Sequence, residues 1–224
     1  MNNIPERYLE TKKIILDGSG DRVQVLLNIL RGKIGPPLDL RGEYPYHLIK
    51  GAWKYASKEK KEEEELENVI SGALKISDLK KEPDILGHLL FLVFSLPLKS
   101  AEAKNAIKEL VKDTGLKNKM MKEHSLHYWS LKTAASLDLV KDLKDEFIAA
   151  LDYPETCHIA YESLLYQSAD DAKKFYFNYR QTMDRNYKPV INAEELKSLT
   201  LWNIKDEFGE KTLEKILSDY RKKK

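Results

Sequence analysis

The chain of 224 residues is 42% hydrophobic and 33% charged, with 10 Gly and 8 Pro; that composition supplies a core and excludes wholesale disorder. Lys and Arg number 38 against 36 Asp and Glu, for a net charge of +2, which excludes a strong overall attraction to nucleic acid or anionic lipid and leaves only a local basic patch open. The one cysteine, Cys157, excludes an internal disulfide and every multi-cysteine zinc site, which fits a reducing compartment.

The first residues, MNNIPERYLETKK, carry no apolar leader, and the longest apolar run, Ile85 to Leu98, reaches about 14 residues where a bilayer span needs about 20. The expectation is a cytoplasmic protein without a membrane span. Apolar residues recur at helical spacing nearly throughout and no segment alternates as a half-buried strand does, so the expected class is all-α. Helices are predicted at 5–16, 21–31, 46–57, 60–76, 84–96, 100–114, 125–137, 138–150, 153–167, 169–183, 193–204 and 209–222.

In chain order, LDGSGD (Leu16 to Asp21) and LRGKIG (Leu30 to Gly35) match neither a phosphate-binding loop nor a dinucleotide fingerprint and are predicted turns. The Pro- and Gly-rich loop 33–46, KIGPPLDLRGEYPY, interrupts the early helices and is long enough to carry function. The run KEKKEEEELE, residues 58–67, has opposite charges at i, i+3 and i, i+4 spacing and is predicted to be a solvated helix start. Stripes follow on Leu66, Val69, Ile70, Ala73 and Leu74, and on Ala103, Ala106, Ile107, Leu110 and Val111. Ser100 and Ser168 are predicted N-caps and Gly115 a helix stop. The nearly all-apolar ILGHLLFLVFSL, residues 85–96, is expected to sit between neighbours.

From Ala134 to Phe175 the residues Phe147 and Leu151 stand on one predicted helix, Asp152 and Pro154 at a turn, Ala160 and Leu164 on a second helix, and Asp170 and Ala172 at the start of the next. This stretch resembles the HEAT family of helical repeats, with His158 where those units usually place a basic residue after the turn. Predicted pair starts near 84, 125, 153 and 193 lie about 41, 28 and 40 residues apart, bracketing a two-helix repeat. The resemblance implies an irregular HEAT-like α-solenoid of antiparallel hairpins in one domain, 1–224; a compact helical bundle is the alternative.

Candidate chemistry is sparse, and no catalytic residue and no cofactor is assigned. His124 and His127, at i, i+3 in KEHSLHYW, could share a helix face as metal ligands, but no third ligand is identifiable and the segment lacks HExxH, so no metal is assigned. Cys157 and His158 are adjacent and diverge by about 100° around a helix, which argues against a nucleophile and its base. Tyr161 to Lys188 concentrates aromatics. There Phe175, Tyr176 and Tyr179 account for a buried stripe and leave Lys173, Phe177, Arg180 and Asp184 on another face, the composition of a partner-binding anchor.

Trp202 and Asp206, one turn apart, resemble the combination of tryptophans with an aspartate that some HEAT-like DNA glycosylases carry in a concave base-binding groove, and form the alternative nucleic-acid site. The C-terminal Arg221 to Lys224 suits the negative end of a helix dipole. The reading that results is a non-catalytic protein-binding module or scaffold with a protein partner, an immunity-type protein that neutralises its partner being one such job. A HEAT-like nucleic-acid-binding protein or DNA glycosylase-like enzyme is the alternative.

Overall fold

The computed structural model describes residues 6–18, 20–38, 43–121 and 124–167, together with Phe175, Tyr179, Thr182 and Lys211. The protein is all-α in character: nine α-helices stand among the described residues, with a single two-stranded ribbon. None of these helices is long and apolar enough to cross a membrane. The chain forms two compact units, Met1–Leu137 and Asp138–Lys224.

In the first unit α1 spans Glu6–Leu16, α2 Arg22–Leu30, α3 Pro45–Ala56, α4 Lys60–Leu74, α5 Pro83–Phe94, α6 Ala101–Lys112 and α7 Leu126–Ser136. Local chemistry sets their starts. Asp21 Oδ1 accepts from Val23 N at 2.9 Å, Ser100 Oγ from Ala103 N at 3.1 Å and Ser125 Oγ from Tyr128 N at 3.1 Å, each satisfying amides that the helix leaves open. Pro45 and Pro83 open α3 and α5, where a missing N–H costs nothing and a fixed φ suits the helix.

The odd-numbered helices pack in sequence, α1 on α3, α3 on α5 and α5 on α7, while α2 packs on α4 and α4 on α6. Two rows result, with the core between them. The predicted stripes fill it: Leu66, Ile70 and Ala73 of α4 and Ala103 and Ile107 of α6 are fully buried, as are Leu89, Leu90, Leu92 and Val93 of α5. Residues 85–96 thus do lie between neighbouring helices, α3 on one side and α7 on the other.

The charged run 58–67 is more than a solvated start. Lys60–Glu64 at 3.7 Å and Lys61–Glu65 at 4.0 Å are exposed pairs of small worth. Glu62 instead reaches Lys12 of α1 at 2.7 Å and Glu65 reaches Arg22 of α2 at 3.1 Å. Glu67 turns inward and is buried. Its Oε1 accepts from Lys99 N at 2.5 Å and Ser100 N at 2.6 Å, while Ser71 Oγ lies 3.1 Å from Ser100 Oγ. A carboxylate on α4 thereby fixes the turn into α6.

Three local expectations are corrected. Gly115 is not the stop of α6: the helix ends at Lys112 because Asp113 leaves the helical region, and Gly115 sits in a short 3-10 turn, Thr114–Leu116, with its N–H on Asp113 Oδ1 at 2.9 Å. A strand pair, Met120–Met121 with His124–Ser125, precedes α7; two residues are too few to show alternation. In the second unit α8 covers only Lys144–Ala150. Asp138 takes φ +58°, and Leu139, Val140 and Leu143 are buried in the turns that follow, before the helix begins.

Helix α9, Cys157–Gln167, starts after Asp152-Tyr153-Pro154 turns the chain and Thr156 Oγ1 donates to Ala150 O at 2.8 Å. It packs on α8, and the predicted stripe of Cys157, Ala160, Tyr161, Leu164 and Leu165 is buried. The Tyr161 ring stacks on that of Tyr179 at 4.5 Å and 5°.

Candidate partner-binding face

Across α3, α5 and α7 aromatic rings touch in series as a strip, with Tyr44 exposed, Tyr46 buried, and Phe91, Phe94, Tyr128 and Trp129 half-buried. Opening α3 with Pro45 places Tyr46 and His47 in its first turn, and Tyr44 N donates to His47 Nδ1 at 2.9 Å, which orients the imidazole. The Tyr46 ring lies 5.8 Å from Tyr44, 4.1 Å from His47, 5.5 Å from His88 and 4.9 Å from Phe91.

Helix α5 is apolar around most of its circumference, so burying one face leaves apolar side chains beyond it. His88, Phe91 and Phe94, three residues apart, form a second face and remain half-buried. Phe91 carries the strip onward, meeting Trp129 of α7 edge-on at 5.4 Å. Thr133 Oγ1 donates to Leu90 O at 3.1 Å, tying α7 to α5 in the register that this contact needs.

Helix α7 ends the strip with a cation. Lys132 Nζ sits 5.2 Å from the Phe94 ring, 5.3 Å from Trp129 and 5.6 Å from Tyr128, within the range where a ring quadrupole attracts an ammonium. The spacing explains it: Tyr128 and Trp129 are four and three residues before Lys132, on the same helix face. Trp129 Nε1 is buried and has no hydrogen-bond partner among the described residues.

An open groove of about 750 Å³ adjoins the strip, lined by residues of α1 and α3 together with Glu43, Ser57 and the segment Ser95 to Pro97 that follows α5. Its wall is pinned: Arg7 pairs with Glu43 at 2.7 Å and stands 5.0 Å from the Tyr8 ring centre. The Tyr8 ring lies flush against Gly51, where a Cβ would come within 2.4 Å of it. Lys50 and Lys54, one turn apart and exposed, border the groove, and His47 belongs to both groove and strip. Loop 33–46 therefore contributes Glu43 to the groove and Tyr44 to the strip.

The sequence-predicted residues fall elsewhere. His124 lies in the strand pair rather than on the helix, its ring stacked on Tyr128 at 4.1 Å, while His127 is buried in α7. The two do not share a helix face, because α7 begins at Leu126. Among the described residues no group of three or more His, Cys, Asp or Glu is placed to hold a metal ion. Cys157 is buried with Sγ 3.4 Å from Pro154 O, and His158 beside it is exposed.

Lys173, Phe177, Arg180 and Asp184, and the pair Trp202 and Asp206, lie outside the described residues, as do the predicted cap Ser168 and the basic end 221–224. Of the aromatic segment 161–188, Phe175 is half-buried and Tyr179 buried. Ser19 of LDGSGD lies outside the described residues; Arg31 to Gly35 of LRGKIG form turns as expected, Asp21 caps α2, and Gly32 and Gly35 take φ of +66° and +110°, a region that favours glycine.

The strip on α3, α5 and α7 escaped sequence reasoning because its rings are dispersed over residues 44–129 and look like core. One signal was present: α5 has apolar residues around most of its circumference, more than a single buried face uses. Compared with known proteins, the chain matches no family model, no curated protein and no solved structure.

Proposed function

We propose that the chain is a non-catalytic protein-binding module whose first unit is an α-solenoid of stacked helix hairpins, recognising its partner through the strip on α3, α5 and α7. The observation that carries this reading is the unbroken contact of rings from Tyr44 to Trp129, ending in a lysine held over three of them. Aromatic residues beside a cation dominate binding energy at protein interfaces, because rigid rings lose little entropy on contact. The packing order supports the solenoid. Stacked hairpins bring each helix against the one two places on, as α1 on α3 and α2 on α4 do here.

The test is affinity capture from the native host, comparing the wild-type chain with Phe94→Ala/Lys132→Ala and with a control pair on the exposed side of α6, Asn105→Ala/Lys112→Ala. Capture of a partner by the wild type and the control, with loss in the strip variant at unchanged thermal stability, is the expected result. Equal capture by all three removes the strip from recognition.

A further inference from the structure

The groove beside the strip says what kind of segment the partner presents. Its described lining carries three cations, Arg7, Lys50 and Lys54, against one carboxylate, Glu43. Arg7 is committed to Glu43 at 2.7 Å, whereas neither Lys50 nor Lys54 forms an ion pair with any described residue. Among the apolar residues of the lining Tyr8 is half-buried and Pro97 exposed, while Trp53 and Leu96 are 5% and 6% exposed.

Lys50 and Lys54 stand close enough for two neighbouring carboxylates of one segment to reach both. Residues i and i+4 on a helix have Cβ atoms about 5–6 Å apart. Alternate residues of an extended chain lie about 6.6 Å apart on one side, with the intervening side chains pointing the other way. The described lining offers two cations outside an ion pair, fewer than the row of phosphates of duplex nucleic acid calls for.

We propose that this groove binds an extended acidic segment of the protein partner, with carboxylates at alternate positions reaching Lys50 and Lys54 and an apolar side chain resting on Tyr8 and Pro97. The proposal rests on the protein-binding reading above and adds the chemistry of the ligand. The groove and the strip meet at His47, so one partner chain crosses from one to the other without leaving the surface.

The probe is a short fluorescein-labelled peptide alternating Glu with Leu, titrated by anisotropy against the full chain. Its counterpart has Lys in place of Glu. Lys50→Glu/Lys54→Glu is compared with Lys60→Glu/Lys61→Glu, which makes the same change in net charge at exposed positions of α4 away from the groove. Expected are binding of the Glu peptide and not of the Lys peptide, a loss of about tenfold or more in the groove variant, and a change within about twofold in the α4 variant. If the groove variant loses its helical circular dichroism, Lys50→Gln/Lys54→Gln takes its place with the same expected direction.

Failure of the wild type to bind the Glu peptide, equal binding of both peptides, equal weakening by both double variants, or no weakening by the groove variant each overturns the proposal. The two readings fail separately. A partner captured through Phe94 and Lys132, with no Glu peptide bound in the groove, removes the acidic ligand and leaves the binding module standing.

Discussion

Single side chains decide how these helices meet. Glu67 is the clearest case: a buried carboxylate whose Oε1 takes both Lys99 N and Ser100 N, so that removing it leaves two amides without an acceptor. Glu67→Ala is expected to destabilise the chain by about 1–3 kcal/mol, the worth of part-buried hydrogen bonds to a charged group, read as a lower midpoint in urea at an unchanged slope. A midpoint equal to that of the wild type means the carboxylate does not hold the turn. Gly51 acts by absence. A methyl group there meets the Tyr8 ring at 2.4 Å. Gly51→Ala is expected to push α1 off α3 at a cost of about 1–3 kcal/mol despite the better helix propensity of alanine, and thermal unfolding distinguishes the two signs.

At the scale of elements, ion pairs join the ends of helices that are neighbours in space rather than in sequence. Arg31, after α2, makes a two-pronged contact with Glu82 at the start of α5, Nε to Oε2 at 2.8 Å and Nη2 to Oε1 at 2.7 Å. Lys80 reaches Asp113 at 2.6 Å. Hydrogen bonding from Arg31 holds the Glu82 carboxyl below its ordinary range, and the same interaction with Lys80, aided by Gly115 N–H, lowers that of Asp113.

A carboxylate whose pKa is lower in the folded than in the unfolded chain adds stability above the unfolded value and loses it as pH falls through the folded one. The expected consequence is that Glu82→Gln/Asp113→Asn loses less stability than the wild type between about pH 5 and pH 2. Partial exposure keeps the difference to about 1 kcal/mol per pair at most. Urea midpoints measured across that range check it, and parallel curves for the two proteins contradict it.

Elements were also where sequence reasoning succeeded best. The first seven helices were legible from apolar residues at helical spacing, sharpened in α2, α6 and α7 by a capping side chain and in α3 and α5 by a proline. Residues 138–143 were not, since Leu139, Val140 and Leu143 keep helical spacing while Asp138 at φ +58° sends them into buried turns; tertiary burial overrode the local preference. The strip was illegible for a related reason. Ring contacts such as Phe91 with Trp129 join residues 38 positions apart in the chain, and periodicity within one helix carries no information about them. His124 and His127 drew attention by proximity in sequence, yet the helix starts between them.

For the molecule as a whole, the first unit carries its own core, from Ile15 in α1 to Leu131 and Ala134 in α7. A fragment of residues 1–137 is therefore expected to fold, with helical circular dichroism and a cooperative thermal transition; a broad, non-cooperative melt means that unit depends on the rest of the chain. Recognition through the odd-numbered row is the claim on which the functional account turns. It is tested most directly by placing a photo-cross-linking amino acid at position 94 on the strip and, in a separate protein, at position 105 on the exposed side of α6, then irradiating each in the native host. The account predicts a discrete cross-linked polypeptide from position 94 and none from position 105. Cross-links from position 105 alone, or the same products from both, would contradict it.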